Sequence, residues 1–569
     1  MRCATASKSL KTAGRIFTEG VGRRCPLLMP LRPTPASSSS PSTGVGVGSR
    51  RTLRPLYLLL ALLILGLTAY VRLAHRADNP GWYTDEGTHL AIAQQLLQGR
   101  VQYLALNQST LLAGRLPLFD LLLAGLLRVG GDEMSLLRAL TGSLGVVSVG
   151  LLHWATRRAA RDPALALLAA LMLAIYPRAV LYSRFGFSYN LLTPLVLLAY
   201  LGLYEYLNTA RRGWLALAAL SIGVGAISDL LTWTFLAPLA VVISARRQRD
   251  LLWALPLSAL PFIGLYATPM LVSAPQAFLF DSRFILSRLN ALSLLQQFAT
   301  LADNYATLLS QDGWIVCGLI GLFLIQPARL GRLSLLFFLL PLTLMGRSLA
   351  LYSLSAYYLI PLLPFLALGL AALIRYGAPH VWKVVSGALS ALLNRWGYPL
   401  NEPKWKLPVT AGAAILCGLL IATPFVMSIK STLEQARNRF STGIDEFLIN
   451  PADARAAAAF VNHRVNADDL IIASPGLAWL LHGHVADFQM AAAAEGQATA
   501  HLPADIPADR FAFDARYTQA RFVVVDNLWR NWAAVNIPAV AEMLQVVESW
   551  PVVFQVGEIA VHRNPARSD

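Results

Sequence analysis

The apolar stretch LRPLYLLLALLILGLTAYVRL at residues 53–73 is followed closely by the polar stretch WYTDEGTH at residues 82–89. A helix rises about 1.5 Å per residue, so it needs about 20 apolar residues to cross roughly 30 Å of bilayer hydrocarbon. Residues 53–73 reach that length and lack a clear small-residue cleavage site, which favours a membrane span over a cleaved targeting peptide. The two stretches together predict a chain that crosses the membrane and then presents adjacent acids at its surface.

Composition extends this interpretation to most of the chain. Of the 569 residues, 56% are hydrophobic and 14% are charged, which is too apolar for a set of soluble domains. The segment 116–127 gives only about 18 Å of helix, so we predict that it lies at the membrane interface in the first external loop. About eleven spans are predicted: 53–74, 134–155, 163–178, 190–208, 213–229, 231–246, 251–273, 313–327, 333–346, 350–374 and 407–428.

The net charge of +16 is unevenly distributed. Residues 1–52 contain nine Lys/Arg and one acid, whereas residues 430–569 contain eleven Lys/Arg and sixteen acids. Short loops rich in Lys/Arg remain in the cytoplasm, and an N-terminus inside places all the main basic clusters there. This pattern fits membrane topology rather than nucleic-acid binding, and it places the first loop and residues 430–569 outside.

Three regions follow from these patterns. Residues 1–52 are predicted to be a disordered, basic cytoplasmic tail, because a chain rich in Ser, Pro, Gly and Arg cannot bury a core. Residues 53–429 form the transmembrane domain. Residues 430–569 are predicted to be an extracytoplasmic α/β domain, with a helix at 454–461, strands at 470–473 and 521–525, and a hairpin at 552–562.

Metal ligands and disulfides receive no support from the cysteines. Cys3, Cys25, Cys317 and Cys417 have neither the spacing of a zinc site nor that of a disulfide framework. We therefore assign no metal site from the cysteines.

The acids of the first loop are the first candidate site residues. Asp85 is the candidate general base, since a carboxylate held beside an acceptor hydroxyl can take its proton. Glu86 is a second candidate that can instead orient the site or cap the helix, and His89, one turn on, can support either acid, although a lone histidine is more often structural. Helix capping is the alternative for the two acids, because carboxylates near a helix N-terminus meet free backbone N–H groups.

Arginines on the same predicted face form a second group. Arg115 opens the short interfacial helix, Arg184 lies in the second external loop and Arg347 precedes the tenth span. The planar guanidinium matches phosphate oxygens, so the three are candidate phosphate ligands. For Arg115 the alternative is a side chain that simply reaches toward lipid headgroups.

Polar and aromatic residues complete the candidate set. Tyr189, Asn190 and Asp229 lie at span ends, where polar groups at membrane depth often mark a substrate site. Tyr357 and Tyr358 open the tenth span, where an aromatic belt at the membrane interface is the ordinary alternative.

These residues, in this order, resemble the GT-C superfamily of membrane glycosyltransferases, close to the protein O-mannosyltransferase and lipid A aminoarabinose transferase group. The similarity covers about residues 53–569. It rests on the Asp85-Glu86 pair, the Arg-x-Pro-Leu-Phe segment at Arg115, the Ser-Arg loop at Arg184, the Tyr-Tyr-Leu-Ile-Pro-Leu-Leu-Pro run at Tyr357, and the α/β tail.

The resemblance implies a sugar donor linked to a polyprenyl phosphate, attack by an acceptor hydroxyl on the sugar C1, and inversion. It implies that the first-loop acid, Asp85, is catalytic with Glu86 beside it, and that Arg115 contacts the donor phosphate, assisted by Arg184 and Arg347. The chain departs from the family pattern in two places. Only Pro117 of the usual proline pair is present, and Tyr189-Asn190 occupies the position where a second acid is common.

Two other functions remain open at this stage. A transporter or flippase of lipid-linked sugars would use similar residues, although no matched pair of broken helices is evident. A non-catalytic binder of lipid-linked sugars is compatible with the missing second acid. No cofactor is required by the residues, and a divalent metal stays an alternative without support. The expected partners are the lipid-linked donor, membrane lipid and an acceptor of unknown class, in the plasma or inner membrane.

Overall fold

The computed structural model describes residues 49–567, apart from 109, 113, 290–292, 348–355, 397–402 and 438–445. Almost all of the predicted tail 1–52, and the start of the predicted span 350–374, therefore lie outside the described residues. The remaining segments form a helical assembly and a C-terminal α/β unit.

Helices make up the N-terminal part of the described chain. They run in chain order as α1 (Ser49–Leu73), α2 (Thr84–Leu97), α3 (Pro117–Leu127), α4 (Glu133–Ala160), α5 (Pro163–Ile175), α6 (Pro177–Arg184), α7 (Tyr189–Thr209), α8 (Arg212–Ala226), α9 (Leu236–Arg246), α10 (Leu251–Phe262), α11 (Thr268–Ser273), α12 (Pro275–Leu289), α13 (Leu294–Gln311), α14 (Gly313–Leu324), α15 (Ala328–Gly346), α16 (Leu363–Ala372), α17 (Ala378–Arg395) and α18 (Pro403–Arg437).

The chain is a multi-pass membrane protein. By length and composition, seven described stretches can cross a bilayer, and each of two bent pairs adds one span if it crosses, α5 with α6 (55°) and residues 294–310 with α14 (100°). Two shorter apolar helices, Arg212–Ala226 and Leu230–Arg246, match two more predicted spans. The count of eleven therefore stays a prediction. The seven stretches are Pro55–Leu73, Glu133–Ala160, Tyr189–Thr209, Gln248–Ser273, Ala328–Gly346, Tyr357–Leu392 and Thr410–Gln435.

Long helices separate the predicted external loops from the predicted Lys/Arg-rich cytoplasmic loops, which lie at opposite ends of these helices. Helix α4 begins beside the first loop, is about 42 Å long at 1.5 Å per residue, and carries Arg157 and Arg158 in its last turn. Asp132 caps its start, where the carboxylate accepts the amide N–H of Ser135 at 2.8 Å. Helix α7 likewise runs from Tyr189 to the basic turn that precedes α8. The short apolar helix predicted at 116–127 is present as α3, which packs on α2.

The C-terminal unit is built on a five-stranded mixed sheet. Its strands and helices are β4 (Leu448–Ile449), α19 (Pro451–Asn462), β5 (Leu470–Ala473), α20 (Pro475–Ala478), β6 (His484–Asp487), α21 (Phe488–Ala494), β7 (Ala520–Val525), α22 (Ala534–Asn536), α23 (Pro538–Glu548), β8 (Val552–Val556) and β9 (Ile559–Arg563), and the sheet order is β6-β5-β7-β9-β8. Strand β5 is parallel to β6 and β7, whereas β9 is antiparallel to β7 and β8. The predicted helix, both predicted strands and the hairpin are present, and β6 is an addition.

The α/β unit is joined to the first loop by a strand pair. Short strands β1 (Trp82–Tyr83), β2 (Gln102–Tyr103) and β3 (Leu106–Asn107) lie in that loop. Strand β1 pairs antiparallel with β4, with Tyr83 opposite Leu448. The amide N–H of Thr84 also donates to the carbonyl of Phe447 at 3.2 Å. The residues just before β4 therefore lie against the start of α2.

A buried ion pair fixes the start of α2. Glu86 and Arg138 have fully buried side chains, and the guanidinium donates twice to the carboxylate, at 2.7 and 2.6 Å. Glu86 also accepts the amide N–H groups of Tyr83 and Gly186, at 2.8 and 2.7 Å. The same carboxylate therefore holds α2, α4 and the second predicted external loop together.

Replacement of Glu86 by Gln should destabilise the protein severely. Removing one partner of a buried ion pair leaves an uncompensated charge, which costs about 3–5 kcal/mol. We expect Glu86→Gln to lower the free energy of unfolding by that amount, measured by thermal unfolding of the purified full chain. The matched control is Asp78→Asn, because the Arg455–Asp78 pair (3.1 Å) has side chains 44% and 62% exposed and contributes less than about 1 kcal/mol. Equal, small effects of the two substitutions would contradict this role of Glu86.

Candidate functional site

A cavity of about 1070 Å³ lies between the helical assembly and the α/β unit. Its walls come from the start of α2, the loop before α3, the turn after α8, helices α12 and α15, and the edge of the α/β unit. Polar side chains gather near the start of α2, while one side of the cavity is apolar. The apolar side is lined by Trp233, Phe262, Phe278, Ile285 and Leu286.

Asp85 and Arg115 face each other in this cavity. The guanidinium of Arg115 contacts the Asp85 carboxylate at 2.8 Å, and their side chains are 10% and 26% exposed. Asp85 lies in the first turn of α2, whose strand-paired start fixes its direction. Arg115 lies two residues before Pro117, where α3 begins. The two predicted site residues are therefore adjacent, although they are far apart in sequence.

Two more predicted residues with charged side chains line the cavity. Asp229 lies in the turn after α8, where its carboxylate accepts the amide N–H of Leu231 at 2.8 Å, and it interacts electrostatically with Arg115. Arg347, just after α15, donates to the side-chain oxygen of Gln297 at 3.0 Å. The cavity therefore presents both acids and guanidinium groups around one space.

Glu86 lies outside this cavity, which differs from the catalytic role predicted for it. Both of its oxygens are engaged by Arg138 and by backbone N–H groups, so no oxygen is directed toward a substrate. The carboxylate also closes the first turn of α2 by accepting the N–H of Tyr83, which was the capping alternative. We therefore assign Glu86 a structural role and keep Asp85 alone as the candidate base.

Arg184 likewise differs from its predicted role as a phosphate ligand. Its buried guanidinium donates to the carbonyls of Val71, Ala74 and Asn79 at 2.7–2.8 Å. These carbonyls lie at and just beyond the C-terminal end of α1. The arginine therefore caps a helix end and lies away from the cavity lining.

Two further residues predicted to line the pocket are buried beside it. His89 is held by Asp120, with Nδ1 and Oδ1 2.6 Å apart, and is 1% exposed. The side-chain amide of Asn190 donates to the carbonyls of Tyr182 and Phe187. Neither residue belongs to the cavity lining.

The three predicted tyrosines do line the cavity. The rings of Tyr189 and Tyr357 stack with centroids 5.8 Å apart, and Tyr358 packs on Tyr357 at 4.6 Å. Tyr189 is 5% exposed. These rings form a wall of the cavity; for Tyr357 and Tyr358 an aromatic belt at the membrane interface stays the alternative.

Several lining residues were missed by the sequence analysis. Most of them come from the α/β unit or from the segment that leads into it, where no motif was recognised. A usable signal existed for Asp487, which ends a strand and caps the next helix by accepting the amide N–H of Met490 at 2.8 Å. The missed residues that matter below are Arg288, Glu446, Phe447, Asp487, Gln489, His501 and Trp532.

Asp487 is an unusual carboxyl group in this wall. It is 4% exposed, and the hydroxyl of Tyr103 donates to it at 3.2 Å. Burial raises the pKa of Asp487 to about 6, because the charged form loses its hydration.

Across the described residues, no three His, Cys, Asp or Glu side chains are grouped as metal ligands.

Comparisons with known proteins identify the fold. No protein-family model matches the sequence, and no curated protein matches it significantly. Two structures of ArnT from Cupriavidus metallidurans do match. The form bound to undecaprenyl phosphate has a TM-score of 0.55 at 15% identity, covering 90% of this chain and 98% of that one. The apo form has a TM-score of 0.54 at 16% identity, covering 91% and 99%. These likenesses show that this chain shares the fold of ArnT.

The raised pKa of Asp487 predicts a pH-dependent stability. The folded protein binds this proton more tightly than the unfolded chain does, so the stabilisation is complete below about pH 4 and is lost as the pH rises through about 6. The loss is about 3 kcal/mol for two pKa units. Asp487→Asn retains an oxygen that can accept the N–H of Met490, so it should be more stable than wild type at pH 7.5 and similar at pH 4.

Thermal unfolding of both proteins across this pH range tests the prediction. The control is Asp505→Asn, an exposed aspartate of the same unit. If the Asp487→Asn and wild-type stabilities keep a constant difference at every pH, the assigned titration is wrong.

Proposed function

We propose that the chain is a glycosyltransferase that moves a sugar from a polyprenyl-phosphate-linked donor to an acceptor hydroxyl, with Asp85 as the general base. The observation that carries this proposal is the Asp85–Arg115 pair in a cavity of about 1070 Å³ within a GT-C fold. It places a proton acceptor and a phosphate-binding group 2.8 Å apart. A transfer from a lipid phosphate needs both groups at one centre.

The lipid part of the donor is supported by the apolar side of the cavity. Leu286, on that side, is 58% exposed, and Leu260, Ile263 and Leu279, which lie outside the cavity lining, add exposed apolar surface. A polyprenyl chain leaves lipid only at about 0.8 kcal/mol per CH₂, so its phosphate has to be reached from the membrane. The likeness to ArnT, whose structure contains undecaprenyl phosphate, agrees with this donor class.

The phosphate is assigned to Arg115 and Arg347. Guanidinium groups bind phosphate through charge-assisted hydrogen bonds, which are strongest in a cavity with little water. Arg288 also lines the cavity and adds to the positive potential there. Arg184 is excluded from this set, because backbone carbonyls occupy its guanidinium.

The reaction follows from these positions. The acceptor oxygen attacks C1 of the sugar as the bond between C1 and the phosphate oxygen breaks, and the bonding electrons leave with the phosphate. Asp85 takes the proton of the acceptor hydroxyl. Arg115 and Arg347 stabilise the charge that develops on the phosphate. Attack opposite the leaving group inverts C1. Tyr189, Tyr357 and Tyr358 form the adjacent wall, and Asp229 supplies a second acid near Arg115.

The reaction is assigned to the extracytoplasmic face of the plasma or inner membrane. The cavity is lined by Tyr189 at the start of α7. Arg211 follows the far end of α7, and Arg157 and Arg158 lie in the last turn of α4, which begins beside the first loop. Because Lys/Arg-rich loops remain in the cytoplasm, the cavity and the α/β unit belong outside.

Substitution of the proposed base should stop transfer without loss of donor binding. A positioned general base contributes about 10²–10⁴-fold to rate, so Asp85→Asn should lower sugar transfer by at least about 100-fold. Cells whose only copy carries Asp85→Asn should accumulate the polyprenyl-phosphate sugar, measured by liquid chromatography and mass spectrometry. Binding of undecaprenyl phosphate to the purified variant should persist.

Asp78→Asn, on an exposed loop position outside the cavity, is the control for this experiment. A wild-type level of precursor with Asp85→Asn would remove the catalytic assignment and favour a transporter or a non-catalytic binder.

Substitution of Arg115 should weaken donor binding itself. A hydrogen bond to a charged group contributes about 1.5–3 kcal/mol, so Arg115→Met should weaken the binding of undecaprenyl phosphate by about 10–100-fold. The affinity is measured by native mass spectrometry of the full chain. Arg100→Met is the control, because Arg100 is exposed in the same loop and outside the cavity.

The affinity of Arg115→Met can fall because the guanidinium contact is lost or because the Asp85 carboxylate then repels the phosphate. The double variant Asp85→Asn/Arg115→Met distinguishes these two causes, since it lacks that carboxylate. Undecaprenyl phosphate that binds Arg115→Met as tightly as wild type would exclude this arginine as the phosphate ligand.

A further inference from the structure

A continuous row of aromatic rings runs along the cavity from the membrane helices to the α/β unit. Tyr357 contacts Tyr83 (centroids 6.3 Å apart), Tyr83 stacks on Phe447 (5.8 Å), and Phe447 packs on Trp532 (5.6 Å). The indole of Trp532 is stacked with the imidazole of His501 at 6.2 Å. All five rings line the cavity, and the last two belong to the α/β unit.

Polar side chains lie at the end of this row formed by Trp532 and His501. The amide of Gln489 lies 3.0–3.2 Å from Nδ1 of His501, and its oxygen accepts the backbone N–H of His501 at 3.1 Å. The amide and the imidazole edge supply donors and acceptors at fixed positions. This end of the cavity thus combines aromatic faces with the polar edges of Gln489 and His501, and Arg288 interacts electrostatically with His501.

Backbone hydrogen bonds place the row of aromatic rings beside Asp85, the proposed base. Phe447 is the ring between Tyr83 and Trp532, and its carbonyl accepts both the amide N–H and the hydroxyl of Thr84, at 3.2 and 3.1 Å. Thr84 immediately precedes Asp85. A molecule that packs on Trp532 and extends along the row therefore reaches the start of α2.

We infer that Trp532, His501 and Gln489 form the acceptor subsite, and that the acceptor is a carbohydrate. This inference rests on the proposed function. Sugar rings present C–H faces, which pack against aromatic rings, and hydroxyl edges, which hydrogen-bond to amide and imidazole groups. Arg115 lies beside Asp85, and His501 interacts electrostatically with both, so the subsite adjoins the proposed phosphate ligands. The α/β unit thus determines which hydroxyl is brought to Asp85.

The test uses soluble sugars in place of the unidentified acceptor. The full chain is placed in lipid nanodiscs free of glycosidic detergent, with undecaprenyl phosphate bound, and mixed with a panel of methyl hexopyranosides and methyl pentofuranosides. Saturation-transfer NMR then measures contact with sugar C–H protons. We expect a signal from the wild type that falls about fivefold or more with Trp532→Ala, persists with Trp532→Phe, and falls with Gln489→Leu.

Control substitutions come from the same unit. Val535→Ala, at a side chain 74% exposed, and Gln497→Leu, at an exposed glutamine, both lie outside the cavity and should leave the signal unchanged. All variants should still bind undecaprenyl phosphate, because none changes the arginines.

The outcomes separate this inference from the function on which it rests. A wild-type signal that is insensitive to Trp532→Ala and Gln489→Leu overturns the subsite, and the absence of any sugar signal overturns the carbohydrate class, while retained binding of undecaprenyl phosphate leaves the proposed function standing. A peptide or lipid acceptor would be indicated by the second result. Failure of the wild type to bind undecaprenyl phosphate contradicts the proposed function itself.

Discussion

The buried pair of Glu86 and Arg138 is the constraint on which the rest of the site depends. Two opposite charges are removed from water here, which is costly unless every polar atom is paired. Glu86 accepts from Arg138 and from two backbone N–H groups, while Arg138 also donates to the carbonyls of Arg76, Pro80 and Gly81. The pair fixes the turn before α2. Successive side chains of a helix point about 100° apart, so fixing Glu86 inward directs Asp85 to the cavity.

The α/β unit completes the site through close backbone packing on α2. A side chain at Gly87 would overlap the carbonyl oxygen of Pro475, at the start of α20, so only a glycine permits this approach. The pairing of β1 with β4 makes a second connection on the neighbouring residues. The Asp-Glu-Gly sequence thus has three separate roles. Asp85 lines the cavity, Glu86 fixes the loop through its pair with Arg138, and Gly87 leaves room for the backbone of the α/β unit at Pro475.

Sequence patterns predicted many of the elements, because long apolar runs and short buried strands are local signals, whereas helices α12, α13 and α17 were not predicted. They also placed Asp85, Arg115, Asp229, Arg347 and the three tyrosines in one group, which the cavity brings together. Glu86, Arg184 and His89 could not be separated from that group, since a charged residue that binds buried backbone looks the same in sequence as one that binds substrate. The cavity-lining residues of the α/β unit could not be predicted from the sequence for a further reason. Its residues come from several segments that only the sheet brings to one edge.

The contact between Arg115 and Asp85 bears on how the proposed reaction begins. The guanidinium of Arg115 is directed at the carboxylate that has to accept a proton in the proposed reaction. A phosphate competes for the same guanidinium with more oxygen atoms and more charge, so donor binding draws Arg115 away from Asp85 or shares it. Asp85 then becomes available to an acceptor hydroxyl only beside a bound phosphate. The proposed base is thus engaged by Arg115 until the donor phosphate binds, so deprotonation of the acceptor follows donor binding.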